Sequence, residues 1–502
     1  MAKQQTASIS LDRRRTIGTI SPNIFGGFIE HMGRCVYEGI YEPGSPHADA
    51  DGIRVDVRNA LRDMGVTIMR YPGGNFLSGY EWTDGIGPKE NRPKKRDLAW
   101  KSTETNQFGT HEFMDYCAYL GSEPMLGVNL GTGTIQSAGN YVEYVNAPVG
   151  TYWSDLRAKN GRQEPWGVKW WCLGNEMDGP WQIGHLNADD YGKKALEAAK
   201  IMKWHDSSIK LVLAGSSSND MPTYPAWDRT ILEHCYDHVD VLSMHYYATN
   251  NKNDTPSFLA LAVDFEAYIE TLASTIRYVK ALKRSSKMVK LSWDEWNVWY
   301  KARLDSDMDG SWNERPHLIE EVYNLEDALV VSQWMNVFLR KCDVLEMACL
   351  AQMVNVIAPI LTKKDAMLLQ SIYYAFKLHA TRAKGVSLDT FVNVATTNTT
   401  KYGEVPLLDV SASWDANTKT GACFVVNRSL DESITVTIAY ADGQGPVQAI
   451  RAESIYGTDP KAHNTYENPS VVISREIPVQ TTAQGITITL PPLSSTAIDM
   501  RG

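Results

Sequence analysis

The segment WCLGNEMD, residues 171–178, decides the fold of this chain. It ends an apolar run, VKWWCLG, of the kind found in β-strands that are covered on both faces. The run stops at two polar side chains, Asn175 and Glu176. A carboxylic acid at the end of a buried strand is paired with another group, lies at a solvent-filled mouth, or takes part in chemistry. The question is therefore what the rest of the chain places beside Glu176.

A second segment, MVKLSWDEWNVWY at residues 288–300, repeats the pattern. It is again an apolar strand that ends in acids, here Asp294 and Glu295, set among tryptophans. If both strands belong to one parallel sheet, their carboxyl ends lie at the same edge. Glu176 and Glu295 are then expected to face each other.

Strand-like and helix-like segments alternate from about residue 20 to about residue 385. Eight such units predict an α/β fold, a (β/α)8 TIM barrel over residues 19–385, in which the loops after the strands build the active site. A doubly wound open sheet is the alternative, although it usually has fewer units. The predicted strands are 24–31, 66–75, 124–131, 168–174, 210–217, 239–247, 288–296 and 344–355, and the predicted helices include 258–283, 318–341 and 368–383.

The residue pattern of the sequence changes beyond residue 385. Segments such as SITVTIAYAD and GITITLPPL are short, rich in β-branched residues and separated by turn residues, without a helical period. They predict a β-sandwich, jelly-roll-like, over residues 386–502. The N-terminal strand within residues 1–18 has no place in the barrel, and we expect it to join the sandwich.

Composition excludes several classes of partner. The 502 residues carry a net charge of −10 and no long Lys/Arg block, so no nucleic-acid partner is expected. The seven cysteines are scattered and form no C-x-x-C pair, as in proteins of a reducing compartment. Neither an apolar leader nor a stretch of eighteen apolar residues is present, so we expect a cytoplasmic protein without a membrane partner.

The strand ends supply acids, amides and aromatic rings to one mouth, which is the set of groups that binds a sugar. Glycoside hydrolysis needs one acid that protonates the leaving oxygen and one carboxylate near the anomeric carbon. A gap of about 5 Å between the two carboxyl groups gives retention of configuration, and a gap of about 6.5–9.5 Å gives inversion. Glu176 and Glu295 are the candidates for this pair.

The chain resembles the intracellular α-L-arabinofuranosidases of glycoside hydrolase family 51. The resemblance spans nearly the whole chain and rests on FIEHMGRCVYEGIYEPG (28–44), RYPGGNFLSGYEWTDGIGP (70–88), WCLGNEMDGPWQIGH (171–185), DEWNVWY (294–300) and CLAQMVNVIAPI (349–360). It implies a retaining, exo-acting enzyme that removes arabinofuranosyl residues from oligosaccharides, with no cofactor or metal. It also implies a homo-oligomer, a trimer or a hexamer.

The same resemblance implies the roles of individual residues. Glu176 is expected to be the general acid/base and Glu295 the nucleophile. Asn175 is expected to hold the sugar's 2-hydroxyl, and Arg70 and His245 to orient Glu295. The full set of expected substrate-binding residues is Glu30, Arg70, Asn75, Asn175, His245, Tyr247 and Gln352, together with Trp100 and Trp299 as packing surfaces for the sugar or its leaving group.

Other interpretations stay open at this point. Arg70 could neutralise Glu30 or another buried acid, and oxygen-rich strand ends could hold a divalent ion. Gly133 and Tyr246 stand where relatives usually carry Arg and Gln; both are expected on βα loops, where they affect the leaving-group preference. Trp296 is expected in the core. The alternative functions are a related barrel glycosidase, of the β-xylosidase or endoglucanase type, and a non-catalytic sugar-binding protein with the sandwich as its binding module.

Overall fold

The computed structural model describes residues 5–302, 311–443 and 447–502. Within these ranges eight parallel strands close into a barrel, and their order around the barrel is their order in the chain. The predicted (β/α)8 barrel is confirmed. The strands are β1 (Gly26–Phe28), β2 (Ile68–Tyr71), β3 (Glu123–Val128), β4 (Trp170–Leu173), β5 (Lys210–Leu213), β6 (Val241–Ala248), β7 (Lys290–Val298) and β8 (Leu345–Ala351).

A helix follows each strand. Local sequence sets several helix ends: Gly65, with a φ of 88°, ends the first helix, and the Asn187 side chain caps the fourth. The eight helices are α1 (Val55–Met64), α2 (Thr110–Leu120), α3 (Ile135–Asn146), α4 (Ala188–His205), α5 (Ala226–Cys235), α6 (Ala262–Lys283), α7 (Leu325–Arg340) and α8 (Ser371–Ala380); two further helices, Tyr152–Lys159 and Thr255–Phe258, lie in connections.

The barrel interior is packed with side chains, as in other barrels of this size. Phe28, Met125, Trp170 and Met347 are among the buried residues that form this inner cluster. The predicted core residue Trp296 is fully buried and packs against Trp334 and Phe338 on the helix side of β7. No helix among the described residues is long and apolar enough to cross a membrane.

The C-terminal part forms two packed antiparallel sheets, and the N-terminal strand joins them as expected. Gln5–Leu11 pairs parallel with Ile434–Tyr440. The five-stranded sheet has the order Phe391–Asn393, Gln5–Leu11, Ile434–Tyr440, Gly485–Leu490, Val479–Thr482. The seven-stranded sheet has the order Thr16–Thr19, Val386–Leu388, Leu408–Asp415, Thr420–Asn427, Ser494–Arg501, Gln448–Tyr456, Ser474–Ile477.

Helix α7 lies between the barrel and the sandwich and is buried around its whole circumference. Its residue Asn336 donates to Asp409 of the sandwich, and Arg340 pairs with the same aspartate. The division at residues 1–18, 19–385 and 386–502 stays a prediction, and residues 1–4, 303–310 and 444–446 within it lie outside the described residues.

Three predicted helices begin too early. The helix predicted over 258–283 begins at Ala262, and the helix predicted over 318–341 begins at Leu325. The helix predicted over 368–383 begins at Ser371, because Ala366–Leu369 is a strand that pairs antiparallel with Ile360–Lys363. In the first case the apolar spacing continues into the end of the short helix Thr255–Phe258, and in the other two into segments that bond to other parts of the chain, so periodicity alone misplaces the start.

Candidate active site

The carboxyl ends of all eight strands open at one mouth, and the expected polar residues lie there. Arg70 is in β2, Glu176 follows β4, and Glu295 is in β7. Strand β6 pairs with β7 so that His245 lies opposite Glu295, just after a bulge that follows Ser243. Residues far apart in sequence are therefore brought together by strand closure.

Glu176 and Glu295 face each other across this mouth. One carboxylate oxygen of each, together with Nδ1 of His245, lies within 4.8 Å of the other two atoms. Both side chains are largely enclosed: 10% of the Glu295 side chain and 12% of the Glu176 side chain is exposed to solvent. The separation falls in the range that permits direct attack on a sugar held between them, rather than the wider range that accommodates a water.

Glu295 is held by three groups. Arg70 Nη1 donates to its Oε2 over 2.8 Å, and Tyr247 Oη donates to its Oε1 over 2.7 Å. Burial alone would raise the pKa of Glu295, but the cations of His245 and Arg70 outweigh it and hold that pKa below its usual range. Glu295 is therefore ionised at neutral pH. Arg70 also approaches Asp294, with 3.6 Å from Nε to Oδ2.

His245 lies between the two carboxylates. Its Nδ1 is 2.9 Å from Oε1 of Glu176 and 3.5 Å from Oε2 of Glu295. Burial disfavours the charged ring, but Glu295, the hydrogen bond to Glu176 and the charge of Asp294 outweigh it and raise the pKa of His245 to about 8. Below that pH a cation bridges the acids.

The turn that carries Glu176 has an unusual backbone. Gly174 and Glu176 both have positive φ, 81° and 41°, and the second value is strained for a residue with a side chain. This turn aims the carboxylate across the mouth. Trp181, on the same loop and about half exposed, donates its indole N–H to Glu176 Oε2 over 2.7 Å.

Asp178 fixes this loop to its neighbour. Its Oδ2 accepts hydrogen bonds from the backbone N–H and the hydroxyl of Ser217, which follows β5. Asp228 holds Ser216 in the same way, and the Ser216 carbonyl accepts from the His245 backbone N–H. Sequence reasoning did not find Trp181, Asp178 or Asp228 as parts of the site, because their roles depend on which loops become neighbours.

Glu30 is a third buried acid of the mouth. Its Oε1 accepts from Trp100 Nε1 and from the Phe76 backbone N–H, both over 2.9 Å, and its Oε2 accepts from Gln352 over 2.9 Å. Burial and the charge of Glu295 raise the pKa of Glu30 to about 8. The predicted residues Glu30, Trp100 and Gln352 thus form one hydrogen-bonded group.

Asn175 and Gly74 border the space between these acids. The Asn175 side chain accepts a hydrogen bond from Arg70, and its buried amide nitrogen has no partner among the described residues. A Cβ atom placed on Gly74 would lie 3.4 Å from that nitrogen, from Glu295 Oε2 and from Glu30 Oε2. The backbone at Gly74 therefore borders a space ringed by one donor and two carboxyl groups, which suits a hydroxylated ligand.

The remaining expected residues lie farther from the acid pair. The Trp299 ring packs edge-on against Tyr247, with 5.4 Å between centroids. Asn75 is half-buried, and its amide oxygen has no partner in the described ranges.

The two departures from the family pattern differ in placement. Gly133 lies in a βα loop, where a Cβ atom would be 2.3 Å from the carbonyl oxygen of Asn129, so this loop conformation requires glycine. The expectation for Tyr246 is wrong. It lies within β6 and packs against Phe265 and Trp334 on the helix side, because neighbouring strand residues point to opposite faces.

Glu176, His245 and Glu295 are also close enough together to ligate a cation. Two features oppose this use. Arg70 already bonds to the Glu295 oxygen in question, and the raised pKa of His245 means that a metal must displace a proton below about pH 8. The set is better suited to proton transfer and nucleophilic attack than to metal binding.

Comparisons with known proteins cover the whole chain. The family model described as alpha-L-arabinofuranosidase 1 domain matches residues 60–270, and the alpha-L-arabinofuranosidase C-terminal domain matches residues 294–494. An intracellular exo-α-(1→5)-L-arabinofuranosidase of Bacillus subtilis is 43% identical over 99% of both chains. An exo-α-(1→6)-L-arabinofuranosidase of Bifidobacterium longum is 41% identical over 99% of this chain and 98% of its own.

Solved structures agree with these sequence matches. A family 51 α-L-arabinofuranosidase from Bifidobacterium longum has a TM-score of 0.95 at 38% identity and covers 100% of both chains. An α-L-arabinofuranosidase from Thermotoga maritima, solved as an arabinose complex, has a TM-score of 0.88 at 36% identity over 98% of this chain and 99% of its own.

Proposed function

We propose the function from one premise: the chain belongs to the α-L-arabinofuranosidases of glycoside hydrolase family 51. It is an exo-acting α-L-arabinofuranosidase that hydrolyses terminal, non-reducing α-L-arabinofuranosyl residues. Its proposed substrates are arabino-oligosaccharides and fragments of arabinan and arabinoxylan. Glu295 is the proposed nucleophile and Glu176 the proposed general acid/base.

The observation that carries the mechanism is the separation of the two carboxylates, whose facing oxygens lie within 4.8 Å. This separation supports retention of configuration, because no water fits between the pair and the anomeric carbon. The buried, hydrogen-bonded and ionised Glu295 suits the nucleophile. Glu176, whose Oε2 also contacts the half-exposed Trp181, suits the group that meets both the leaving oxygen and the incoming water.

In the first step Glu295 Oε2 or Oε1 attacks the anomeric carbon and forms a glycosyl ester, while the bond to the leaving oxygen breaks. Glu176 gives its proton to that oxygen, so that the product leaves as an alcohol. In the second step Glu176 takes a proton from a water, which attacks the same carbon and releases Glu295 as a carboxylate. Two inversions at one carbon give net retention.

The other groups bind and orient the sugar. The free amide nitrogen of Asn175 is placed to donate to a hydroxyl beside the anomeric carbon, a contact that strengthens as positive charge develops on the ring. Glu30, held by Trp100 and Gln352, offers its carboxyl group to a second hydroxyl. Trp299 and Asn75 are proposed to border the same subsite.

A nitrophenyl α-L-arabinofuranoside assay tests the activity, with the nitrophenyl β-D-xylopyranoside as the comparison. We expect rapid release of nitrophenol from the first substrate and the α anomer of arabinose as the first product seen by NMR. The (1→5)- and (1→6)-linked disaccharides are assayed together, because relatives named for both linkages are similarly identical to this chain. Turnover of the xyloside alone would favour a related barrel glycosidase instead.

Two finer statements complete the proposal. A cytoplasmic location is supported by the names of relatives described as intracellular. A trimer or hexamer is proposed from the family resemblance. Sedimentation equilibrium at micromolar concentration tests the oligomeric state, and a mass of 56.1 kDa, that of the monomer, would contradict the proposed oligomer.

A further inference from the structure

A buried carboxylate near the mouth receives hydrogen bonds from three separate parts of the chain. Glu326, the second residue of α7, is fully buried. Its Oε2 accepts from Thr255 over 2.7 Å, and its Oε1 accepts from Asn250 over 3.1 Å and from Tyr300 Oη over 3.3 Å. Lys461, from the sandwich, donates to the same Oε1.

Three of these donors, Asn250, Thr255 and Tyr300, belong to the two loops that leave β6 and β7. Asn250 follows β6, which carries His245 and Tyr247, and Tyr300 follows β7, which carries Glu295. Trp299 directly precedes Tyr300 and packs on Tyr247. Glu326 therefore joins the ends of the two strands that hold the proposed nucleophile and its hydrogen-bond partner.

Two more buried acids lie close to Glu326. Glu321 accepts from the backbone N–H groups of Lys301 and Ala302, and the ammonium group of Lys301 pairs with both Glu321 and Asp327. In the described part of the chain, this group of three acids is neutralised by two ammonium groups, those of Lys301 and Lys461. Without Lys461, Lys301 would be the one cation near three buried carboxylates, and the segment 299–302 would be pulled from its position.

The sandwich segment that supplies Lys461 is fixed to the start of α7 by the backbone. The N–H of Leu325 donates to the Ala462 carbonyl over 2.9 Å, and the N–H of Glu326 donates to the Pro460 carbonyl over 3.0 Å. These two bonds satisfy N–H groups that the first turn of a helix leaves unpaired. The sandwich thus supplies both backbone acceptors and a cation at this site.

We infer that Lys461 of the sandwich is a positioning residue for hydrolysis: by neutralising Glu326 it holds the loops after β6 and β7, and with them Tyr247, Trp299 and the nucleophile Glu295, in place. The inference rests on the proposed function. It makes the sandwich part of the catalytic apparatus, in contrast to a separate sugar-binding module.

The test compares Lys461→Met, which keeps the length and removes the charge, with Lys461→Arg, which keeps the charge. Lys401→Met is the matched control, because Lys401 is another sandwich lysine that pairs with a barrel acid, Asp264, over 2.6 Å. We expect kcat/KM to fall roughly 10- to 100-fold in Lys461→Met, as for a small misplacement of a catalytic group. Lys461→Arg should stay within about 3-fold of the wild type and Lys401→Met within about 2-fold.

Thermal unfolding is measured for each variant, and activity is assayed below every transition. Unchanged constants in folded Lys461→Met, or an equal loss in Lys401→Met, would overturn the inference. The ratio of kcat/KM between each variant and the wild type is measured on whichever nitrophenyl glycoside the wild type hydrolyses. Failure of the arabinofuranosidase proposal therefore appears in the wild type, and failure of the Lys461 inference appears in the ratios.

A double-mutant cycle with Glu326→Gln keeps the test decisive if the single variant folds poorly. With no buried charge at position 326, the added Lys461→Met change should alter kcat/KM by less than about 2-fold. A loss in this background as large as in the wild type would show that Lys461 does not act through Glu326, and would contradict the inference.

Discussion

Glu295 lies inside strand β7, is buried, and accepts hydrogen bonds from Arg70 and Tyr247. Glu176 lies on a turn with a strained backbone, is partly exposed, and accepts from His245 and from the half-exposed Trp181. The guanidinium group of Arg70 favours a fixed negative charge on Glu295, whereas Glu176 contacts a titratable histidine and a half-exposed indole. We propose that the scaffold separates nucleophilic attack from proton transfer by giving the two glutamates these different surroundings.

Replacement of Glu295 tests the proposed role of this glutamate and has the largest expected effect on activity. Glu295→Ala removes the proposed nucleophile, so kcat should fall by at least about 10⁴-fold on every substrate. Initial rates on nitrophenyl and disaccharide substrates measure it. A loss confined to substrates with poor leaving groups would mean that the roles of the two glutamates are reversed.

Replacement of Glu176 should divide substrates by their leaving groups. Glu176→Ala should lower kcat/KM by about 10²- to 10⁴-fold on arabinobiose, whose leaving alcohol needs a proton, and much less on a dinitrophenyl glycoside. Azide should restore turnover by attacking the glycosyl ester, giving the α-L-arabinofuranosyl azide. Equal losses on both substrates without azide rescue would contradict the acid/base role.

Replacement of Gly74 tests whether the space between the two glutamates is the sugar subsite. Gly74→Ala places a methyl group 3.4 Å from Asn175, Glu295 and Glu30, in the proposed sugar subsite. We expect kcat/KM to fall roughly 100-fold with little change in Tm. Gly79→Ala is the control, because its nearest atom would be 3.8 Å away. Wild-type KM and kcat in Gly74→Ala would place the sugar elsewhere.

Closure of a parallel barrel explains which parts of the site could be predicted. Strand ends meet at one mouth whatever the loops do, so Glu176, Glu295, Arg70 and Glu30 were found from apolar runs that end in polar residues. The start of α7 could not be found in this way. Its first N–H groups bond to Pro460 and Ala462 of the sandwich, far away in sequence.

Contacts between loops could not be predicted from the sequence either. Trp181 reaches Glu176 because of a left-handed turn, and Asp178 reaches Ser217 because two loops lie side by side. Neither fact follows from hydrophobic periodicity, which reports only the face on which a side chain lies. The family resemblance supplied residue roles, but not the groups that position those residues.

The pH dependence of stability tests the charge on His245. The folded-state pKa of about 8 exceeds the ordinary value of 6.5, so the ionic contacts of His245 stabilise the fold fully below pH 6.5. That contribution, on the order of 2 kcal/mol, is lost as pH rises through 8. The difference in unfolding free energy between wild type and His245→Gln, from denaturant titrations at pH 6 and 9, should shrink accordingly. A difference independent of pH would show that folding does not raise the pKa of His245.

Trp181→Phe tests the surroundings of Glu176 and has the smallest expected effect on activity. The variant keeps an aromatic ring but removes the N–H that donates to Glu176 Oε2. A donor to a carboxylate favours the ionised form, so the alkaline limb of kcat/KM against pH should move to higher pH in the variant. The loss at the optimum should be about 2- to 5-fold, as for a half-exposed hydrogen bond of about 0.5–1 kcal/mol.

The control for this change is Trp204→Phe, which alters a tryptophan that is 82% exposed on α4. It should leave the pH profile unchanged. If Trp181→Phe also leaves both limbs of the profile in place, the indole N–H does not influence proton transfer. Proton transfer at Glu176 would then depend on His245, the other donor to this carboxylate in the described part of the chain.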